Sequence, residues 1–163
     1  MDRSSRSDGP PRQKTARPRL ILALRFLLIF VGLSPFLAAL LRPYLSPSSG
    51  DVLYLLFSPV CHRKVSRTLV LASELMPICS RCAGIFVGFL LSGFFPWPAL
   101  SVRRALFYGF VVSVLMVVHV VVQDLGLVPF SHPTRLLTGI VWGHVCGLGV
   151  LALVREFRAT SSA

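Results

Sequence analysis

Charged side chains are scarce in this chain. They make up 14% of its 163 residues, against roughly 25% in an ordinary soluble domain. Apolar residues make up 54%, and the mean hydropathy is +0.73. That deficit excludes a water-soluble globular fold and points to a bilayer. Acidic groups are scarcer still: six Asp and Glu stand beside seventeen Lys and Arg, a formal charge of +11. The chain also lacks a small-x-small cleavage site after its first apolar run. That run is about 22 residues long, against roughly 7 to 15 for a signal-peptide core, so it reads as an uncleaved anchor. A second C-x-x-C pair and a long internal repeat are both missing from the sequence.

Four apolar stretches are present, Leu20 to Leu41, Ala83 to Leu100, Ala105 to Gln123 and Leu136 to Val154. Each approaches the roughly 20 residues needed to cross about 30 Å of hydrocarbon. The expected fold class is all-α, an integral membrane bundle of four transmembrane helices with spans near 20–41, 77–98, 105–123 and 136–154. Residues 1–19 are polar and basic and read as a disordered cytoplasmic tail that rests on anionic lipid. Residues 159–163 read as a second short tail.

The distribution of positive charge argues against nucleic acid as a partner. Arg3, Arg6, Arg12, Lys14, Arg17, Arg19, Arg103, Arg104, Arg155 and Arg158 would all share one side of a four-span protein. By the positive-inside rule that side is cytoplasmic, with both termini inside the cytoplasmic membrane of a prokaryote. Arg42, Arg63, Lys64, Arg67, Arg81 and Arg135 fall on the outer side. Assembly into homo-oligomers is compatible with this layout.

The stretch around which the chain is organised runs from Cys61 to Gly88 and holds three of the four cysteines. Pro77 reads as the first residue of a helix, which would set Cys79 and Cys82 in its opening turns. There the helix dipole and free N–H groups favour a thiolate or an anion. One reading is a site for zinc or another divalent metal. Cys61, Cys79 and Cys82 would be ligands, and His62 or His132 would complete the shell. The other is thiol–disulfide chemistry of the kind that passes electrons to quinone. That chemistry needs a further outer cysteine pair, whereas Cys146 falls inside the last span. A structural role as a staple or as small buried groups is the third reading, and no enzymatic activity is assigned.

Arg67, Arg81, Asp124 and Arg135 are candidates either to support a metal site from outside its ligand set or to bind an anion. His119 lies one turn before Gln123 on the same face, close enough to the outer end to reach this cluster. Gly84, Gly88 and Ser92 recur every four residues in the second span, as do Gly139, Gly143 and Gly147 in the fourth. Such stripes let helix backbones approach closely in lipid, so spans two and four are expected to pack together.

Three of these pieces carry a resemblance: the Cys-His and basic run CHRKVSRTL, the segment MPICSRCAGIFVG, and an Asp and Gly followed by Arg-Leu-Leu-Thr-Gly. Together they are similar to the prokaryotic membrane-protein family known as domain of unknown function 2085. The resemblance covers roughly residues 50–147 and implies a multi-span membrane protein. The residues that match the motifs are Cys61, His62, Arg67, Cys79, Arg81, Cys82, Gly84, Gly88, Asp124, Arg135, Thr138 and Gly139. The family pattern has Asp directly before Gly and ahead of a Gln, whereas this chain reads QDLG with Gln123 first. The family carries no known activity to transfer.

Overall fold

The computed structural model describes residues 18–61, 64–71 and 73–160. Most of the expected basic tail lies outside them, as do His62, Arg63 and residues 161–163. The described chain is mostly helical: α1 (Pro18–Leu41), α2 (Pro47–Leu55), α3 (Ser80–Phe94), α4 (Val102–Asp124) and α5 (His132–Thr160). Between α2 and α3 stands an antiparallel hairpin of β1 (Thr68–Leu71) and β2 (Glu74–Cys79).

Helices α1, α4 and α5 are long and apolar enough to cross a membrane. Helix α3 has 15 residues, about 22 Å at 1.5 Å per residue, short of a full hydrocarbon crossing. The expected second span, 77–98, is thus trimmed at both ends. At its start Pro77 is not the first helical residue but lies in β2, and the helix begins three residues later. At its end Pro96 restrains the residue before it, and Phe95 leaves helical geometry at φ −118° and ψ 80°.

Local chemistry explains the other departures. Helix α2 starts at Pro47. There Ser46 accepts a bond from the Ser49 N–H, and proline occupies a position that needs no donor. Asp51 sits inside α2 and pairs with Arg42 at 2.9 Å. In α1, Pro35 leaves the Val31 carbonyl without its usual amide donor. The Ser34 hydroxyl supplies one instead at 2.7 Å, so the helix continues through lipid with that carbonyl satisfied.

The hairpin turns at Ser73, whose φ of 66° is left-handed. Its register pairs Thr68 with Cys79, Val70 with Leu75 and Leu71 with Glu74, with an irregularity between Thr68 and Val70. Pro77 falls on the strand opposite that irregularity, where no ladder donor is needed. Met76, Pro77 and Ile78 are all buried. Met76 and Ile78 pack with Tyr54, Phe57, Cys61, Ala38, Ala39 and Phe86, which fixes α2 and the hairpin onto one end of α1 and α3. The Tyr54 hydroxyl donates to the Leu75 carbonyl at 2.9 Å and ties the two pieces.

Helix α3 lies between α1 and α5, and α4 packs on the far side of α5. Its seam with α5 is backbone against backbone. A Cβ on Gly139 would overlap the Arg81 carbonyl, one on Gly84 the Leu136 carbonyl, and one on Gly143 the Ile85 carbonyl. Gly88 faces the His144 amide, and Gly147 faces the Ser92 side chain. On its other face α3 also meets Gly32 of α1 closely, with backbone atoms of Phe86 and Leu90 where a Cβ would stand. At the far end, Arg25 of α1 donates to the carbonyls of Gly93 and Phe94 at 2.8 and 3.1 Å, capping α3 with a cation where the dipole favours one. Glu156 of α5 likewise accepts from the Val102 N–H at the start of α4, at 2.9 Å.

A side chain at the α3–α5 seam has nowhere to go, whereas Gly109 of α4 has open space around it. Gly139→Val is predicted to cost about 2 kcal/mol or more and to lower the unfolding midpoint in detergent by roughly 5 °C. Gly109→Val should leave it unchanged. Equal effects would show that the seam is not the tight contact described.

Candidate functional site

The site is built where α2, the hairpin and the start of α3 meet. After α2 the chain turns so that the Cys61 N–H bonds to the Phe57 carbonyl at 3.1 Å, delivering a buried Cys61 beneath the hairpin. Strand β2 ends at Cys79, the residue that caps α3 in extended geometry (φ −73°, ψ 164°). Cys82 lies in the first turn of the helix. Cys79 and Cys82 are therefore not two residues of one helical turn, as the expected start at Pro77 implied. One stands at the end of a strand and the other on the helix it enters.

This strand-to-helix corner brings three sulfurs together. The Sγ atoms of Cys61, Cys79 and Cys82 all lie within 4.8 Å of one another. The Cys79 N–H donates to Cys61 Sγ at 3.3 Å. All three thiols are free. Among the described residues His132 is not part of this group; its ring instead meets the edge of Phe130 with centroids 4.8 Å apart. His62 lies outside the described residues. Cys146 lines an apolar groove between α4 and α5, away from the cluster.

The surroundings of Cys79 favour its thiolate. The Cys82 thiol donates to it, burial opposes ionisation, and the backbone N–H groups of Cys82 and Arg81 and the Cys61 thiol add further bonds. Together they hold Cys79 down to about 4. The anion-favouring helix start inferred from sequence is thus served by N–H groups that reach Cys79 from the residues after it.

A polar cluster borders the sulfurs. Arg67 and Asp124 form an ion pair at 3.0 Å, which joins the segment before the hairpin to the end of α4. Arg81, only 7% exposed, extends its Nη2 toward His119 Nδ1 and Gln123 Oε1, each at 3.3 Å. A guanidinium can only donate, so His119 accepts at Nδ1 and carries its proton on Nε2. Arg135, 4% exposed, places its guanidinium over the Phe130 ring, 5.1 Å from the centroid. Arg135, Arg67 and Asp124 all lie close enough to act electrostatically on Arg81. The pairing of His119 with Gln123 one turn later was legible as a shared helix face. The stacking of Arg135 on Phe130 and the buried Ser80 were not, since no spacing in the sequence announces either.

Helices of membrane-crossing length, joined to a thiol cluster and a buried basic cluster at one end of the bundle, define a multi-pass membrane protein with a polar site. Residues 61–149, more than half of the chain, match the family described as predicted membrane protein (DUF2085), and the chain belongs to that family. It is also 27% identical over 150 residues to the uncharacterized protein MJ1492 of Methanocaldococcus jannaschii, covering 84% of this chain and 92% of that protein. No solved structure matches.

The Cys79 environment makes a testable statement about acid. With its ionisation lowered to about 4, the Cys79 thiolate is present above that pH and is lost only as pH falls through it. In reduced, metal-stripped protein, Cys79 is predicted to keep its rate of alkylation by iodoacetamide between pH 8 and pH 6. An ordinary thiol with a pKa of about 8.5 slows nearly tenfold per unit over that range. Peptide mapping of the alkylated protein reads the rate residue by residue, and a Cys79 rate that falls like an ordinary thiol would contradict the described hydrogen bonding.

Proposed function

We propose that this protein is a metal-binding membrane protein in which Cys61, Cys79 and Cys82 hold a thiophilic divalent ion. The proximity of the three sulfurs carries this reading. Ligands about 2.3 Å from a tetrahedral zinc lie roughly 3.8 Å apart, so the three side chains need little movement to close on an ion. Three thiolates suit zinc better than a hard cation such as calcium or magnesium. The N–H bond from Cys79 to Cys61 Sγ is the kind of outer support that holds a thiolate ligand in place. His62, next to Cys61, or a water molecule completes the shell. A bound ion would clamp the end of α2, the hairpin and α3 into one unit.

In this reading α3 is the fourth membrane segment, short and shielded by its neighbours. The termini are cytoplasmic, as the basic residues argue, and the cysteines face outward. The Arg67–Asp124 pair and Arg81 support the site from outside the ligand set. Where the outer side is oxidising, a resident metal also protects three adjacent thiols from disulfide formation.

One observation favours a second reading. The bond from the Cys82 thiol to a readily ionised Cys79 is the arrangement of a reactive dithiol, and a membrane thiol–disulfide oxidoreductase would use it. Transfer of electrons to quinone needs a second pair near the first, and Cys146 does not supply it.

Metal analysis and a thiol count on the same purified sample separate the two. The metal reading expects about one equivalent of metal per chain, three protected thiols that become reactive after chelation, and loss of the metal in Cys79→Ser. A metal-free protein with a reducible bond between Cys79 and Cys82 would replace it with the dithiol reading.

A further inference from the structure

The basic cluster beside the sulfurs has more positive charge than its surroundings balance. Among the described residues, Arg67, Arg81 and Arg135 are opposed by one carboxylate, Asp124, and that carboxylate is taken by Arg67 at 3.0 Å. Arg81 and Arg135 are the buried pair, at 7% and 4% exposure, and among the described residues no acidic side chain forms an ion pair with either of them.

Burying an unopposed guanidinium is strongly unfavourable, and native structures avoid it by supplying a partner. The aromatic face of Phe130, 5.1 Å from the Arg135 guanidinium, supplies part of one. It takes no hydrogen bond from the edge of the fork.

The donors at this end of the bundle show the same deficit. Nε of Arg81, Nε of Arg135, the Gln123 Nε2 amide and the Ser80 hydroxyl are all buried without a hydrogen-bond partner among the described residues. Ser80 is the first residue of α3 and is 0% exposed. Gln123 is fixed next to Arg81 through its oxygen. Buried polar groups in native proteins are almost always satisfied, and four unsatisfied donors within one cluster, two of them on cations, describe the complement of an acceptor-rich anion. A carboxylate has two oxygens. A tetrahedral oxyanion presents more, at the dipole-positive start of a 15-residue helix.

We infer that Arg81 and Arg135, with Ser80 and Gln123, form a buried binding site for a phosphate-class oxyanion beside the cysteine cluster. The anion is either the headgroup phosphate of a membrane phospholipid or free phosphate, since both present the same oxygens to the same forks. The site does not depend on a metal.

The test uses the full-length protein purified in detergent and stripped of lipid, with inorganic phosphate as the probe. Phosphate, compared with chloride at equal ionic strength, should raise the wild-type unfolding midpoint in a saturable way. Arg135→Lys keeps the charge but not the planar fork and should weaken phosphate binding at least tenfold. Ser80→Ala removes one hydroxyl and should weaken it about threefold, which keeps the test decisive if the lysine variant does not fold. Native mass spectrometry before lipid removal distinguishes the sources. About one phospholipid per chain, retained by wild type and lost in Arg135→Lys, assigns the site to a headgroup, and retention of none with stabilisation by phosphate assigns it to the free ion. The inference is overturned if wild type shows neither effect, or if both variants match it. Metal content measured on the same samples separates the two sites, because failure of the anion site leaves the metal in place and failure of the metal reading leaves phosphate binding in place.

Discussion

The contact on which the structure depends is the one between the backbones of α3 and α5. In lipid, apolar burial does not drive helices together, so association rests on close packing and on polar bonds between them. Gly84, Gly139 and Gly143 remove the side chains that would hold the axes apart, and the Arg81 carbonyl rests against Gly139. That residue carries one of the two buried guanidinium groups, so the glycine that permits the packing also sets the depth of the basic cluster. Arg135 lies one helical turn before Gly139 on α5 and reaches the same end. The seam is thus a packing device and a positioning device at once.

The cysteine site is assembled differently, from pieces far apart in structure type. Cys61 follows a surface helix, Cys79 ends a strand, and Cys82 lies on α3. The core beneath them, from Tyr54 and Phe57 to Met76 and Ile78, gives the three sulfurs a common frame. The ion pair of Arg67 with Asp124 then ties this frame to α4, which otherwise meets only α5 extensively.

Much of this was legible in the sequence, and the reasons are physical. Hydropathy located α1, α4 and α5 because a membrane helix must be apolar along its whole length, and the four-residue glycine spacing announced which helices touch. The cysteines and the Asp124 loop could be placed at one end because a bundle of antiparallel spans alternates its loops. The hairpin was not legible. TLVL has strand formers in Thr and Val but is only four residues long, ELMPIC mixes in Glu, Met and Pro that lack strand preference, and the turn uses Ser73 in a left-handed geometry that serine rarely signals. Pro77 was read as a helix start since that is where proline most often helps, yet here a strand irregularity accommodates it. The boundaries of α3 moved for the same reason, and with them the relation between Cys79 and Cys82.

The cap that Arg25 places on α3 has a bearing on the length of that helix. With one end closed by that cation and the other by the cluster at Arg81, α3 is about 22 Å long, while α1 with 24 residues reaches about 36 Å. The shorter helix is flanked by α1 and α5, so the difference in length is met inside the bundle by α2 and the hairpin, which pack on one end of α3. A helix that stops early in this way leaves Ser80 and Arg81, its first two residues, enclosed by protein at 0% and 7% exposure.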